Sequence, residues 1–240
     1  IERKSEDASC TILINNEFAD ETDEQTNTYT KYIERQDTEA TVLVTANSEV
    51  AMVEMDGESQ LHTLAKTITI ANEETKLDVI VTAENGEKVI YHVNIIKKST
   101  DNSIKSVKVD GKQIEEQDGK YIATVYDKGK DTQDALIEVI ATEEHAKIQI
   151  GDGSEFKLTP AQSSVTFKDQ NRKITLNINV QAQDTNTTNI TKILEINIVS
   201  DDTTIKVVKN GDNVVTNYDE QTHTFKEYLS KDIEEVNLSI

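Results

Sequence analysis

The feature that most constrains this chain is internal repetition. The segment YHVNIIKKSTDNSIKSVKVDG at 91–111 is echoed by LEINIVSDDTTIKVVKNG at 194–211, and each joins the end of one alternating run to the start of the next. Repetition at a fixed period marks an array of like units. Tyr29 answers Tyr121 at a shift of 92 (121 − 29), and Tyr91 answers Leu194 at a shift of 103 (194 − 91). Ala46 and Ala51 answer Ala141 and Ala146 at one spacing. The drift predicts insertions in the second copy near 128–134, 153–163 and 183–189. Three segments follow: a first unit over 1–98, a second over 102–200, and the start of an incomplete third over 203–240.

Within each copy the apolar residues alternate. In ATVLVTA, Val42 and Val44 fall on one face and Thr41, Leu43 and Thr45 on the other, which predicts a strand with one face buried. Asn85-Gly86 between two alternating runs predicts a tight hairpin with positive φ at both central residues. No long helical period appears, and Pro160 sits among loop residues. Hydrophobic content of 35% is below the ~45–50% of an average soluble domain. Strict alternation reconciles that figure with folding, because half of each strand in a thin two-layer sandwich faces water. The fold class is therefore all-β, in tandem two-layer β-sandwiches. The linkers KSTDN (98–102) and SDDT (200–203) are too short for free coil of much reach, so successive units should touch.

A net charge of −20 argues against nucleic acid as a partner, since phosphates demand a basic footprint. No run of about 18 apolar residues exists, so no membrane insertion is expected. The chain opens on IERKSED and closes on EEVNLSI in mid-strand, and both ends read as cuts through a longer polypeptide. Cys10 is the single cysteine and excludes an intrachain disulfide. Its neighbours Glu2, Glu6 and Asp7 disfavour a reactive thiolate, so it reads as a small residue beside a first strand.

Four elements carry a resemblance to a known family: the first strand SIKSVKVDG, the tyrosine-led GKYIATV, the paired alanines before a hairpin, and the closing VTAENGEKVIYHVNII. Together they resemble the bacterial cadherin-like β-sandwich domain, which implies tandem immunoglobulin-like β-sandwiches. The second copy departs at AQDTNTTNITKILEINI, which lacks both the Asn-Gly turn and the tyrosine. The resemblance implies tandem, non-catalytic modules of secreted or wall-attached proteins of Gram-positive bacteria. It brings no catalytic residues. Because cadherins bind calcium between domains, it also implies Asp201 and Asp202 at the second junction as candidate calcium ligands; no other cofactor is expected.

The remaining candidates carry less. His62, His92, His145 and His223 lack zinc-site spacing. Acidic clusters at 19–24, 115–118, 151–153 and 200–202 do not match a calcium-loop pattern. No nucleophile, metalloprotease or phosphate-loop motif is present, and no enzyme is expected. Trp is absent, which weakens a sugar platform; Tyr29 and Tyr121 read as core, while Tyr32, Tyr126 and Tyr228 read as exposed.

The expected function is therefore a structural spacer of an extracellular or cell-surface bacterial protein. Its partners would be neighbouring domains of the same polypeptide. An alternative is adhesion, with a host or wall glycan or protein bound by the insertion loops of the second unit. A further alternative is self-assembly into a surface layer or filament.

Overall fold

The structure is a computed structural model. It describes residues 3–127, 132–168 and 172–199, and beyond 199 only the backbone of five short strands between 209 and 239.

The first sandwich holds β1 (Cys10–Ile14), β2 (Glu21–Asp23), β3 (Thr28–Ile33), β4 (Glu39–Ala46), β5 (Met52–Met55), β6 (Glu58–Leu61), β7 (Thr63–Thr69), β8 (Glu74–Thr82) and β9 (Lys88–Lys97). An antiparallel sheet of order β1-β4-β7 packs on a six-stranded sheet of order β2-β3-β9-β8-β5-β6. Within the larger sheet β3 and β9 run parallel.

The second sandwich holds β10 (Ile104–Val109), β11 (Lys112–Ile114), β12 (Glu116–Gln117), β13 (Lys120–Tyr126), β14 (Thr132–Ala141), β15 (Lys147–Ile150), β16 (Lys157–Leu158), β17 (Ala161–Lys168), β18 (Lys173–Gln181) and β19 (Ile190–Val199). Its sheets run β11-β10-β14-β17 and β12-β13-β19-β18-β15-β16, with β13 parallel to β19. Strand for strand this is the first order again, with β11 added. The five distal strands start it a third time: Lys209–Asn210 pairs Asn213–Val214 and Leu238–Ser239, and Asn217–Asp219 pairs Thr224–Lys226. These are the pairings of β10 with β11 and β14, and of β12 with β13. The expected opening of the third copy at 203–208 lies outside the described residues.

Alternation builds both cores. Val42 and Val44 are fully buried while Thr41, Leu43 and Thr45 remain partly exposed. Ala46, Ala51, Ala141 and Ala146 are all buried at matching places. Cross-strand register corrects one equivalence. Val79 pairs Tyr91 and Ile178 pairs Lys192, while Val53 pairs Val81 and Ile148 pairs Val180. Tyr91 therefore answers Lys192, not Leu194, at a shift of 101 (192 − 91). In the first sandwich the Tyr91 hydroxyl donates to Ala8 O at 3.0 Å and its ring lies 6.1 Å from that of Tyr29. In the second, Lys192 Nζ instead holds Glu116 at 2.6 Å beside the Tyr121 hydroxyl.

The turns carry a second correction. At the β8–β9 hairpin only Gly86 has positive φ; Gly86 N–H donates to Ala83 O at 3.0 Å and Ala83 N–H to Glu87 O at 2.8 Å. This is a longer loop closed by a glycine bulge, not a two-residue turn. Two-residue turns with both φ positive stand instead at Asp56-Gly57, Asp110-Gly111 and Asp118-Gly119.

Cys10 is half-buried, and burial pushes its thiol pKa up to about 12, only partly offset by the Tyr91 hydroxyl. A thiol reagent at about pH 8 is expected to leave Cys10 intact in the native chain and to label it fully in denaturant. Rapid native labelling would contradict that burial.

Candidate functional site: the joint between the sandwiches

The chemistry of this chain concentrates where the two sandwiches meet. The connecting segment is held on both sides. Lys98 N–H donates to Ile33 O at 2.9 Å, and Lys98 Nζ pairs with Glu34. Arg35 makes a two-pronged bridge to Glu73 at 2.8 and 2.7 Å and also donates to Lys98 O at 3.0 Å. From the second sandwich, Gln183 Oε1 accepts from Ser99 N–H at 3.0 Å, and Asp184 N–H donates to Ser99 O at 2.9 Å. Asn102 Nδ2 donates to Thr188 O at 2.9 Å.

Inside the segment a Ser-x-Asp-x-Ser staple closes. Asp101 N–H donates to Ser99 Oγ at 3.1 Å, and Ser103 N–H donates to Asp101 Oδ1 at 2.8 Å. Hydrogen bonds from Ser103, first its side chain and then its backbone, hold the Asp101 carboxyl below its ordinary pKa. The same staple opens the first sandwich at Ser5, Asp7 and Ser9, with distances of 3.2 and 2.9 Å. There too the β8–β9 loop receives it: Ser5 N–H donates to Glu84, and Asn85 N–H donates to Ser5 O. The joint is thus the lead-in of each sandwich, repeated. No reading of the sequence above found it, although Ser5-x-Asp7-x-Ser9 and Ser99-x-Asp101-x-Ser103 are visible as a pair.

A second contact crosses the joint. His145 Nε2 lies 2.8 Å from Glu21 Oε1 of β2, and its Nδ1 lies 3.0 Å from Glu143 Oε1. The ring stacks on Tyr32 of β3 with centroids 4.6 Å apart. Tyr32 is therefore a joint residue rather than an exposed platform. Burial and the Glu21 charge push its hydroxyl pKa up to about 12. Alongside runs a groove of about 730 Å³ whose lining includes Lys31, Tyr32, His145, Lys147, Leu158 and Gln183. Lys31 is buried, and its Nζ donates to Glu17 at 2.7 Å, Phe18 O at 3.2 Å and Asp20 at 3.2 Å. Burial alone would lower the Lys31 pKa, but the Glu17 and Asp20 bonds outweigh it and hold the ammonium above its ordinary range.

The acidic clusters are engaged one residue at a time. Asp20 and Glu21 serve Lys31 and His145, Glu116 serves Lys192, and Asp152 accepts from Asn177 at 3.1 Å. Among the described residues no three His, Cys, Asp or Glu side chains are grouped to hold a metal ion. Asp201 and Asp202, the expected calcium ligands, lie outside the described residues, as do His223 and Tyr228. His92 is exposed and meets Asp78 at 2.8 Å. Of the insertion loops, 183–189 is docked on the connecting segment, 153–163 contains β16, and 128–131 lies outside the described residues. No helix among the described residues is long and apolar enough to cross a membrane.

These features define a protein of tandem two-layer β-sandwiches. Residues 7–98, which span the first sandwich, match the family model of the cadherin-like beta sandwich domain. No curated protein matches the chain. Similar solved structures include Clostridium thermocellum CbhA fibronectin(III)-like modules, at 9% identity over 81% of this chain and 97% of that one, TM-score 0.30. Mouse clustered PcdhgC3 EC1-3 is 11% identical over 72% of this chain and 66% of that one, TM-score 0.28. The Bacteroides ovatus SGBP-B complex with a mixed-linkage heptasaccharide is 12% identical over 80% and 71%, TM-score 0.21. At such scores the likenesses carry no argument about what this chain does.

Proposed function

We propose that the chain is a non-catalytic structural spacer of a secreted or surface protein. In this reading cadherin-like units over 1–98 and 102–200, with a third beginning at 203, are joined at fixed angles to carry neighbouring domains. One observation supports it above the others: every residue from Lys98 to Ser103 except Thr100 hydrogen-bonds through backbone or side chain to a sandwich or within the staple. A segment tied in this way is not a flexible tether.

Small-angle scattering with and without millimolar calcium tests it. An elongated, monomeric particle of constant dimensions is expected under both conditions. Asp101→Ala, which removes the acceptor for Ser103 N–H, should broaden the distance distribution by weakening the staple by about 0.5–2 kcal/mol, the worth of a comparable backbone cap. Scattering from independently moving units in the unmodified chain would sink the proposal. Compaction or stiffening by calcium would move it towards a metal-locked junction at Asp201 and Asp202.

A second reading, adhesion through a glycan or protein ligand, draws on the joint groove, whose volume falls in the ~300–1,000 Å³ range of small-molecule sites. Retention on a glycan array that is lost in Lys147→Glu would favour it.

A further inference from the structure

The two carboxylates around His145 do something the staple cannot. Glu21 stands on the first sandwich, and Glu143 stands in the loop leaving β14 on the second. A carboxylate only accepts hydrogen bonds, and a neutral imidazole has a single N–H. With both ring nitrogens within 3.0 Å of carboxylate oxygens, only the imidazolium donates at both ends. In the neutral ring one nitrogen turns a lone pair toward a carboxylate, so one of the two contacts becomes repulsive.

The surrounding groups leave His145 as the deciding cation. Lys31, the nearest buried ammonium, is committed to Glu17 and Asp20. The Tyr32 hydroxyl donates to the same Glu21 oxygen at 3.2 Å, which orients that carboxylate without neutralising it. Glu144 adds negative charge near Tyr32, and Lys147 lines the groove beside it.

We infer that His145 is a proton-operated latch, closing the joint through Glu21 when charged and releasing it when neutral. The inference rests on the spacer reading, because a latch has meaning only where the sandwiches are held together. Burial by itself would lower the His145 pKa, but the hydrogen bonds to Glu143 and Glu21 outweigh burial and raise it above the ordinary 6.5. The sign follows from linkage. Glu143 stands on the same sandwich as His145, so only the Glu21 bond forms on docking, and a histidine whose pKa rises in that way contributes fully below its undocked value. That contribution is lost as pH climbs through the higher docked value. The staple contains no histidine and persists, so release means a looser angle rather than separation.

The test is an NMR titration of the His145 ring in the 240-residue chain, paired with scattering at about pH 5 and about pH 8. Glu21 is exposed on a short edge strand, so Glu21→Gln should fold normally. The expected result is a lower His145 midpoint in Glu21→Gln than in the unmodified chain. The scattering dimensions of the unmodified chain should grow with pH, and those of His145→Gln should not respond. An unshifted His145 midpoint in Glu21→Gln overturns the latch. So does a shifted midpoint with pH-invariant scattering, and in both cases a rigid particle leaves the spacer reading standing. Independently moving sandwiches at both pH values overturn both.

Discussion

Phe167→Ala is expected to unfold the second sandwich at a denaturant concentration that leaves the first intact. Phe167 is 2% exposed and heads the fully buried side chains by size. Deleting such a ring costs about 3–5 kcal/mol through lost transfer energy and the cavity left behind. A domain of this size has only about 5–15 kcal/mol to lose. The position also shows how the second sandwich differs from the first. Ala40 pairs Ile68 and Ala135 pairs Val165, so Phe167 answers Ile70 two residues on, also 2% exposed. The second sandwich fills this end of its core with a ring where the first uses a branched aliphatic chain. The two buried clusters share no residue, one ending at Ile95 and the other starting at Val107. Substitutions in separate cores act independently. Hydrogen exchange across a urea series is the measurement: β14 and β17 amides should lose protection early while β4 and β8 keep theirs. Equal loss in both sandwiches would mean that the joint couples them into one cooperative unit.

That separation of cores was legible in the sequence, because alternation is the imprint of a sheet with one wet face. Val42 and Val44, and the paired alanines, were readable for this reason. Strands without a buried face left no such imprint: β6 is exposed at all four positions, and β2, β12 and β16 are exposed throughout. For β6 and β12 the only signal was turn chemistry, the Asp-Gly pairs at 56 and 118, where an Asp and a Gly both accept positive φ, and β2 and β16 lacked even that. The register of Tyr91 was misplaced because insertions between repeats are visible as a total drift, whereas their location needs the pairing. Drift is 97 at Val165 (165 − 68) and already 99 at Ile178 (178 − 79), so residues were also gained between β17 and β18. The joint was least legible of all. Glu21 and His145 are separated by 124 positions, and no local period connects them. Only the echo of Ser5-x-Asp7-x-Ser9 at Ser99-x-Asp101-x-Ser103 pointed there.

The echo recurs in the sequence once more, at Ser200-x-Asp202-x-Thr204, outside the described residues. In both described lead-ins the middle aspartate is occupied by a backbone N–H two residues on. Spacing alone therefore gives Asp202 a second candidate role, which competes with calcium for the same carboxylate. Calcium titration of the scattering profile separates the two, since a staple is indifferent to the ion.

Asp184→Ala should release the 183–189 loop from the joint at a cost of about 1–3 kcal/mol, the penalty for stranding buried polar partners. Asp184 is 5% exposed. Its carboxylate accepts from Asn186 N–H at 3.0 Å and lies near Thr187 Oγ1, while its own N–H donates to Ser99 O. Its charge also adds to that of Glu73 in holding the Arg35 guanidinium protonated across the joint. Two effects are thus combined in one side chain, and a second variant divides them. Asp184→Asn keeps an oxygen for Asn186 N–H but loses the charge facing Arg35. If loop geometry dominates, Asn restores most of the stability lost with Ala; if the cross-joint charge dominates, Asn behaves like Ala and added salt narrows its gap to the unmodified chain. A largely solvent-screened Arg35 makes the first outcome the expected one, since exposed ion pairs contribute about 0–1 kcal/mol. Exchange rates at Ser99 read the release directly, because its amide loses the Gln183 acceptor when the loop lifts, whereas the acceptor of Asn186 N–H lies within the loop itself. Unchanged rates in Asp184→Ala would show that the loop is not part of the joint, and would return it to the adhesive role expected of a loop on a rigid sandwich.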